Sequence, residues 1–245
     1  MHPELFSMGP VTVHNYGLLI ALGLLAALFL MHRRAAQDGF PPRDKVFDLV
    51  FVVVLGGFLG ARLFYVLQEW TGYQNHPLEI FQIWKGGLVY YGGVVAAYLV
   101  FFFYVRFVGL PFLAASDFLI PYIPLVHAFG RVGCFLNGCC YGKPCDLPWA
   151  VQFPFLPNAV HPTQIYEALM NFALFGLLVW FYPRRHFRGE VTSFYLILYS
   201  LGRFGIEFFR GDQPVAAFSL TLHQILSFLL MGFGIFLYGI CRRFR

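Results

Sequence analysis

The chain has 245 residues, of which 59% are hydrophobic and only 12% charged. Ordinary globular chains carry about 25% charged residues, so this composition excludes a soluble globular protein and points to an integral membrane protein. The formal charge of +5 is not a nucleic-acid signal, because the basic residues flank apolar segments; the bilayer is the expected partner and nucleic acid is not.

Crossing a bilayer takes roughly 20 mainly apolar residues. Seven segments qualify, at 11–31, 47–67, 88–105, 111–129, 164–182, 190–209 and 220–241. The expected fold is therefore all-α, one seven-helix membrane domain over residues 1–245. Lys and Arg in the short loops set its orientation. With the N-terminus outside and the C-terminus inside, Arg33, Arg34, Arg43, Lys45, Arg106, Arg184, Arg185, Arg188, Arg242, Arg243 and Arg245 are inside, and only Lys85 and Lys143 are outside.

In chain order, the first segment carries Tyr16 near its outer end. Arg62 lies roughly 22 Å along the second from its inner end, at 1.5 Å per residue. The third opens on Tyr90 and Tyr91. The fourth, "FLIPYIPLVHAF", is interrupted by prolines, carries His127 and ends beside Arg131. Residues 130–163 then form the longest loop, a small extracytoplasmic head between helices 4 and 5, with glycines to turn the backbone at the membrane edge. It closes on His161 and Pro162, a residue suited to a first helical turn, and its helix N-terminus can hold an anion. Arg203 lies roughly 20 Å along the sixth segment; Glu207 and Arg210 share its face at spacings of four and three.

Charged side chains in a bilayer are costly and face a pocket, the bundle interior or a partner. One arginine can snorkel to the interface. Arg62, Arg131, Arg203 and Arg210 gather at similar depth on three segments, and a shared anionic ligand accounts for them better. At that depth the abundant anion is a lipid headgroup, and arginine suits bidentate phosphate recognition. Glu207 can pair with Arg203 and lower the cost of burying it.

Five cysteines are an odd number, so no complete disulfide framework follows. Cys134, Cys139, Cys140 and Cys145 suggest a four-thiolate zinc site, but adjacent cysteines do not easily reach two tetrahedral corners. No metal is expected. A disulfide from Cys139 or Cys140 to Cys145 and free thiols packed as small hydrophobes both remain open.

The stretches "NYGLLIALG" (15–23), "GGFLGARLFYV" (56–66), "GGLVYYGGVVAA" (86–97), "ASDFLIPYIPLVHAFGRVGCFLNGCCYG" (115–142), "HPTQIYEAL" (161–169), "LGRFGIEFFRGD" (201–212) and "HQILS" (223–227) resemble the prolipoprotein diacylglyceryl transferase family, in family order and across every predicted membrane segment. The resemblance implies transfer of the diacylglyceryl group of phosphatidylglycerol to the lipobox cysteine of a preprolipoprotein signal peptide, the first step of bacterial lipoprotein maturation. It implies a multi-pass protein of the bacterial cytoplasmic (inner) membrane, an active site toward the outer leaflet, and no metal or organic cofactor. Arg131 and Arg203 match the family's essential arginines, Tyr16 its functional tyrosine and Gly142 the glycine closing its signature loop. Asn137, His161 and Tyr166, with Arg62, Arg210 and Glu207, are further substrate-binding candidates.

The chain departs from the family pattern at three positions. Tyr91 stands where the family often has a histidine assigned as the general base, Cys134 where it often has Asn, and Cys139 where it often has Glu. Tyr91, and then His127 one helical turn before Arg131, are the candidate replacement bases. Two alternatives stand beside the transferase: a lipid or anion transporter, suited by the intramembrane arginines and broken helix, and a membrane thiol–disulfide protein using the cysteine cluster. The first lacks an inverted repeat and the second lacks a Cys-x-x-Cys motif.

Overall fold

The computed structural model describes residues 4–8, 11–74, 76–82, 86–211, 215–217 and 219–244. Lys85 and Arg245, used in the charge count above, lie outside them. A short antiparallel hairpin, β1 (Glu4–Met8) and β2 (Val11–His14), precedes α1 (Asn15–Asp38). The first predicted segment thus begins four residues late, because its opening "VTVH" takes the extended conformation that β-branched residues favour. There follow α2 (Arg43–Gln68), α3 (Trp70–Tyr73), a 3-10 turn at Pro77–Phe81, α4 (Tyr90–Phe107), α5 (Phe112–Leu119), α6 (Tyr122–Asn137), α7 (Thr163–Phe181), α8 (Glu190–Glu207), a second hairpin of β3 (Val215–Ala217) and β4 (Leu220–Thr221), and α9 (Leu222–Arg243).

Among the described residues, six helical stretches are long and apolar enough to cross a membrane: Asn15–Asp38, Arg43–Gln68, Tyr90–Phe107, Phe112–Asn137, Thr163–Arg184 and Leu222–Arg243. They coincide with six of the seven predicted segments. The remaining one, α8, has 18 residues but carries Glu190, Arg203 and Glu207, too many charges for its composition alone to mark it as a span. Large apolar side chains such as Leu25, Phe103, Leu169, Trp180 and Phe236 are exposed on the spans, the surface expected of helices solvated by lipid.

The chain divides into two compact units, residues 32–115 and residues 1–31 with 116–245. In the first, α2 packs on α4 through small residues. A Cβ at Gly57 would stand 3.3 Å from the Ala97 Cβ, one at Gly93 3.2 Å from the Ala61 Cβ, and one at Gly60 or Gly92 would overlap Ala96 or Phe64. Lipid supplies no hydrophobic drive between helices, so this close approach is what holds them. Arg62, buried on α2, spends all five of its N–H donors on carbonyls of the following segment. Nε donates to Ile80 O (2.9 Å), Nη1 to Gly86 O (2.6 Å) and Gly87 O (3.1 Å), and Nη2 to Glu79 O (3.1 Å) and Gln82 O (3.5 Å). Gly86 and Gly87, at φ 83° and 81°, occupy a region only glycine enters cheaply and turn those carbonyls onto the guanidinium.

In the second unit, α1 and α6 meet at Gly133 against Tyr16 and at Gly23 against Phe129. Rings join α6 to α7 (Phe129–Phe172, Tyr122–Phe175) and α8 to α9 (Phe204–Phe228, Phe194–Tyr238). Asp117, fully buried on α5, accepts hydrogen bonds from Gly189 N (2.6 Å), Thr192 N (2.9 Å) and Thr192 Oγ1 (2.7 Å), so a carboxylate from another helix caps the start of α8.

Gly60→Leu or Gly92→Leu forces α2 and α4 apart and costs on the order of 1–3 kcal/mol or more. Gly232→Ala on α9, where a Cβ meets nothing within 4 Å, leaves stability unchanged or slightly raised. Thermal melts in detergent distinguish the two outcomes.

Candidate active site

The segment expected to leave the helix at Gly130 stays helical to Asn137. Gly130 and Gly133 serve helix packing rather than a turn; the chain leaves at Gly138, which is left-handed at φ 72° and ends the helix as C-terminal glycines do. Arg131 therefore projects from the body of α6 rather than from a loop.

Five ionisable groups converge in this unit. Arg131 Nη2 meets Glu167 Oε1 on α7 at 3.1 Å, and Arg131 Nε donates to His127 Nε2 at 3.2 Å. That bond occupies the imidazole lone pair on Nε2 and places the ring proton on Nδ1; Glu167 Oε1 lies 3.4 Å from the same nitrogen. On α8, Arg203 Nη1 meets Glu207 Oε2 at 2.6 Å, and Glu207 Oε1 accepts from Thr221 Oγ1 at 2.7 Å. Thr221 caps α9 in a capping box with Gln224, so the start of α9 and the Glu207 carboxylate are fixed by one hydroxyl. Glu167, Arg203 and Glu207 are all buried. Neither Glu167 oxygen, nor the two atoms joining Arg203 to Glu207, has an aligned hydrogen bond; charge holds these contacts. The groups act as one cluster: His127 is within electrostatic reach of Glu167, Arg131 and Arg203, and His223 of Arg203, Glu207, Arg210 and Glu167. Arg131 and Arg203 are thus each set against a buried carboxylate, with Arg210 in electrostatic reach of His223 in the same cluster.

The cysteine-bearing turn after α6 is held from α7. Thr163 Oγ1 donates to Cys140 O (2.8 Å) and Gln164 Nε2 to Cys139 O (2.6 Å). Gly142 N donates to His161 O (2.9 Å) and Lys143 N to Phe209 O (2.8 Å). A Cβ at Gly142 would lie 2.5 Å from Phe209 O and 2.7 Å from the His161 Cβ, so only glycine fits between the entry to α7 and the exit of α8. All five cysteines are free thiols, and the expected bridges to Cys145 are not formed. The Sγ atoms of Cys134, Cys139 and Cys140 lie within 4.8 Å of one another, the one group among the described residues with metal-ligand spacing. Hydrogen bonds from the Cys134 and Cys139 thiols push the Cys140 thiol below the ordinary thiol range, against its burial, and Arg131 and Arg210 add to this.

The other predicted site residues fall into two groups. Tyr16 is within electrostatic reach of Arg131 and all three clustered thiols. Arg210 is buried and pairs through its backbone with Gly142. Asn137 Nδ2 stands 4.0 Å from Cys139 Sγ. His161 Nδ1 lies 3.2 Å from the Tyr166 hydroxyl, which also accepts from Trp149 Nε1 at 2.7 Å. Tyr91 and Arg62 belong to the unit of residues 32–115; Tyr91 is exposed at the start of α4, its ring edge-on to Tyr90. Sequence reasoning missed Glu167, although it was the one acid in the fifth predicted segment and so carried the same signal as the arginines. Thr221 and His223 gave no such signal, since nothing local ties them to Glu207.

These features define a multi-pass membrane protein with a buried cluster of paired arginines and glutamates. A model of the prolipoprotein diacylglyceryl transferase family matches residues 3–240, and the chain belongs to that family. It is 36% identical to the phosphatidylglycerol–prolipoprotein diacylglyceryl transferase of Clostridium tetani, with 99% of this chain and 98% of the relative covered. It is 37% identical to the protein of that name from Methylococcus capsulatus (96% and 93% covered) and 39% identical to that of Nitratidesulfovibrio vulgaris (96% and 92% covered).

Glu207→Ala strands Arg203 and costs about 3–5 kcal/mol. Glu167→Ala costs less, because Arg131 keeps 19% of its side chain exposed against 8% for Arg203. The double variant Arg203→Met/Glu207→Leu regains much of the lost stability. Comparing the three melting temperatures in detergent checks the order.

Proposed function

We propose that this chain transfers the diacylglyceryl group of phosphatidylglycerol to the cysteine thiol of a prolipoprotein signal peptide. The observation that carries this reading is the pair of arginines, Arg131 and Arg203, each backed by its own buried glutamate within one electrostatic cluster. The two guanidinium groups bind the phosphodiester. As the thiolate attacks the adjoining glycerol carbon, charge builds on the phosphate oxygen that leaves, and fixed cations there stabilise that charge without reorganising. Glu167 and Glu207 act as positioning residues that hold the guanidinium groups aimed. Arg210, Tyr16, Gly142 and Asn137 line the headgroup side; His161 and Tyr166 form its rim.

The protein has seven spans in this reading, with α8 crossing because its charges face the cluster rather than lipid. The N-terminus is outside, the C-terminus inside, and the site opens to the outer leaflet of the bacterial cytoplasmic membrane. Residues 130–163 make the extracytoplasmic part of a single domain. Arg62 serves by anchoring the segment at 79–87. Tyr91 is the first candidate for the base that takes the substrate thiol proton. His127 is the second, and its Nε2 must be released by Arg131 before it can act.

Expression in cells depleted of their own transferase, with a reporter prolipoprotein, tests the activity; a reporter that gains no diacylglyceryl mass would refute it. Arg131→Lys and Arg203→Lys each lower the lipidation rate about 10²–10³-fold. Tyr91→Phe and His127→Ala, assayed separately, identify the base, and full activity in both removes both candidates.

A further inference from the structure

Alkylation of a thiol needs the thiolate, and an unperturbed cysteine with a pKa near 8.5 supplies only a few per cent of it at neutral pH. Near Arg131 the chain has gathered three thiols of its own. Their Sγ atoms lie within 4.8 Å of one another. A tetrahedral zinc with Zn–S bonds of about 2.3 Å holds its sulfurs about 3.8 Å apart, so closing the group on a metal needs a movement of about 1 Å or less.

Two features show how the group is assembled. Cys134 is on the last turns of α6, whereas Cys139 and Cys140 are adjacent, and neighbours in an extended chain point apart. Cys140 is left-handed at φ 63°, a conformation that costs a non-glycine residue on the order of 1 kcal/mol or more. It brings both side chains to the same place, which removes the objection that adjacent cysteines do not reach two corners of one site. The backbone that does this is pinned by Thr163 and Gln164 at the carbonyls of Cys140 and Cys139. The three thiols are also only partly buried, unlike Cys241, which is packed away.

Three thiolates on a tetrahedral cation leave one position open, the arrangement of a catalytic rather than a structural zinc site. We propose that Cys134, Cys139 and Cys140 bind one zinc ion and that the substrate cysteine thiol is its fourth ligand, a proposal that rests on the transferase reading above. Three protein thiols and then the peptide thiol lose their protons to water as they ligate the metal. The sulfur lone pair of the peptide attacks the glycerol carbon that bears the phosphodiester oxygen. A C–S bond forms and the C–O bond breaks. The electron pair leaves on the oxygen of glycerol phosphate, held by Arg131, and that phosphate takes up a proton from water. Nothing is oxidised or reduced. The thioether product is a poor zinc ligand and departs, reopening the fourth position. This departs from the expectation that no metal is needed.

The full-length protein in detergent, stripped of metal under reducing conditions, is titrated with Co²⁺ as a spectroscopic stand-in for zinc. One equivalent bound, with thiolate charge-transfer absorption, is expected. A peptide carrying a lipobox-like cysteine then changes that spectrum, and the same peptide with serine does not. Cys134→Ser, Cys139→Ser and Cys140→Ser each abolish the spectrum, while Cys145→Ser and Cys241→Ser keep it. In the lipidation assay the zinc-loaded protein keeps its rate as pH falls toward 6. The stripped protein loses about tenfold per pH unit below about 8.5. Failure to bind Co²⁺ or zinc, uptake of Cu⁺ alone, a spectrum indifferent to the peptide, or equal activity with and without zinc overturns the proposal and leaves the transferase reading standing. Absence of lipidation in both metal states overturns the transferase reading and this proposal with it.

Discussion

A guanidinium inside a bilayer must have a counter-charge or a full set of acceptors, and the rest of this structure is arranged around that requirement. Taking an arginine out of water costs several kcal/mol, and an excellent partner repays only part of it. Arg131 and Arg203 each receive a glutamate, and each glutamate ties a second helix into place. Glu167 joins α6 to α7; Glu207, through Thr221, joins α8 to the start of α9. The pairs fix the relative depth of four helices in a medium where apolar contacts alone do not, since lipid is as good a partner for Leu as another helix is.

In the proposed reading, those paired charges also serve catalysis. An unpaired arginine would bind anionic lipid tightly but would have no fixed position before the lipid arrived. A guanidinium fully neutralised by its own carboxylate would attract nothing. On that reading, each glutamate meets its arginine at one nitrogen, which holds the guanidinium in place and leaves its other edge to face an anion. The glycine contacts extend this logic to the backbone. Gly142 lets the turn that carries the thiols lie against Phe209 and His161.

Arg62 shows how the same residue type is used differently. Its five donors all go to carbonyls of residues 79–87, and Tyr65 and Tyr73 flank it at 5.7 and 5.6 Å from their ring centroids. It stabilises a non-helical segment at the end of an apolar helix, where free carbonyls would otherwise be costly. Depth alone grouped the four arginines, whereas the structure gives Arg62 carbonyl partners and gives Arg131 and Arg203 carboxylate partners.

Residue composition determined that the chain lives in lipid, and apolar run length located six of its spans, with ends off by up to eight residues, because lipid imposes a length but the last turns of a helix extend beyond it. The cost of a charge in lipid marked Arg131, Arg203 and Glu207 before any geometry as side chains that need partners, and the structure pairs them. What only the tertiary structure decided depends on partners distant in sequence. The Glu167 counter-charge comes from 36 residues beyond Arg131, as their numbering gives, and the Thr221 hydroxyl comes from the residue that caps α9. The end of α6 at Gly138 rather than Gly130 turns on whether a glycine faces a neighbouring helix or takes a positive φ, and spacing does not distinguish the two. The meeting of Cys134, Cys139 and Cys140 rests on one left-handed residue held by two hydrogen bonds from α7, an arrangement whose cost is local and whose compensation is not.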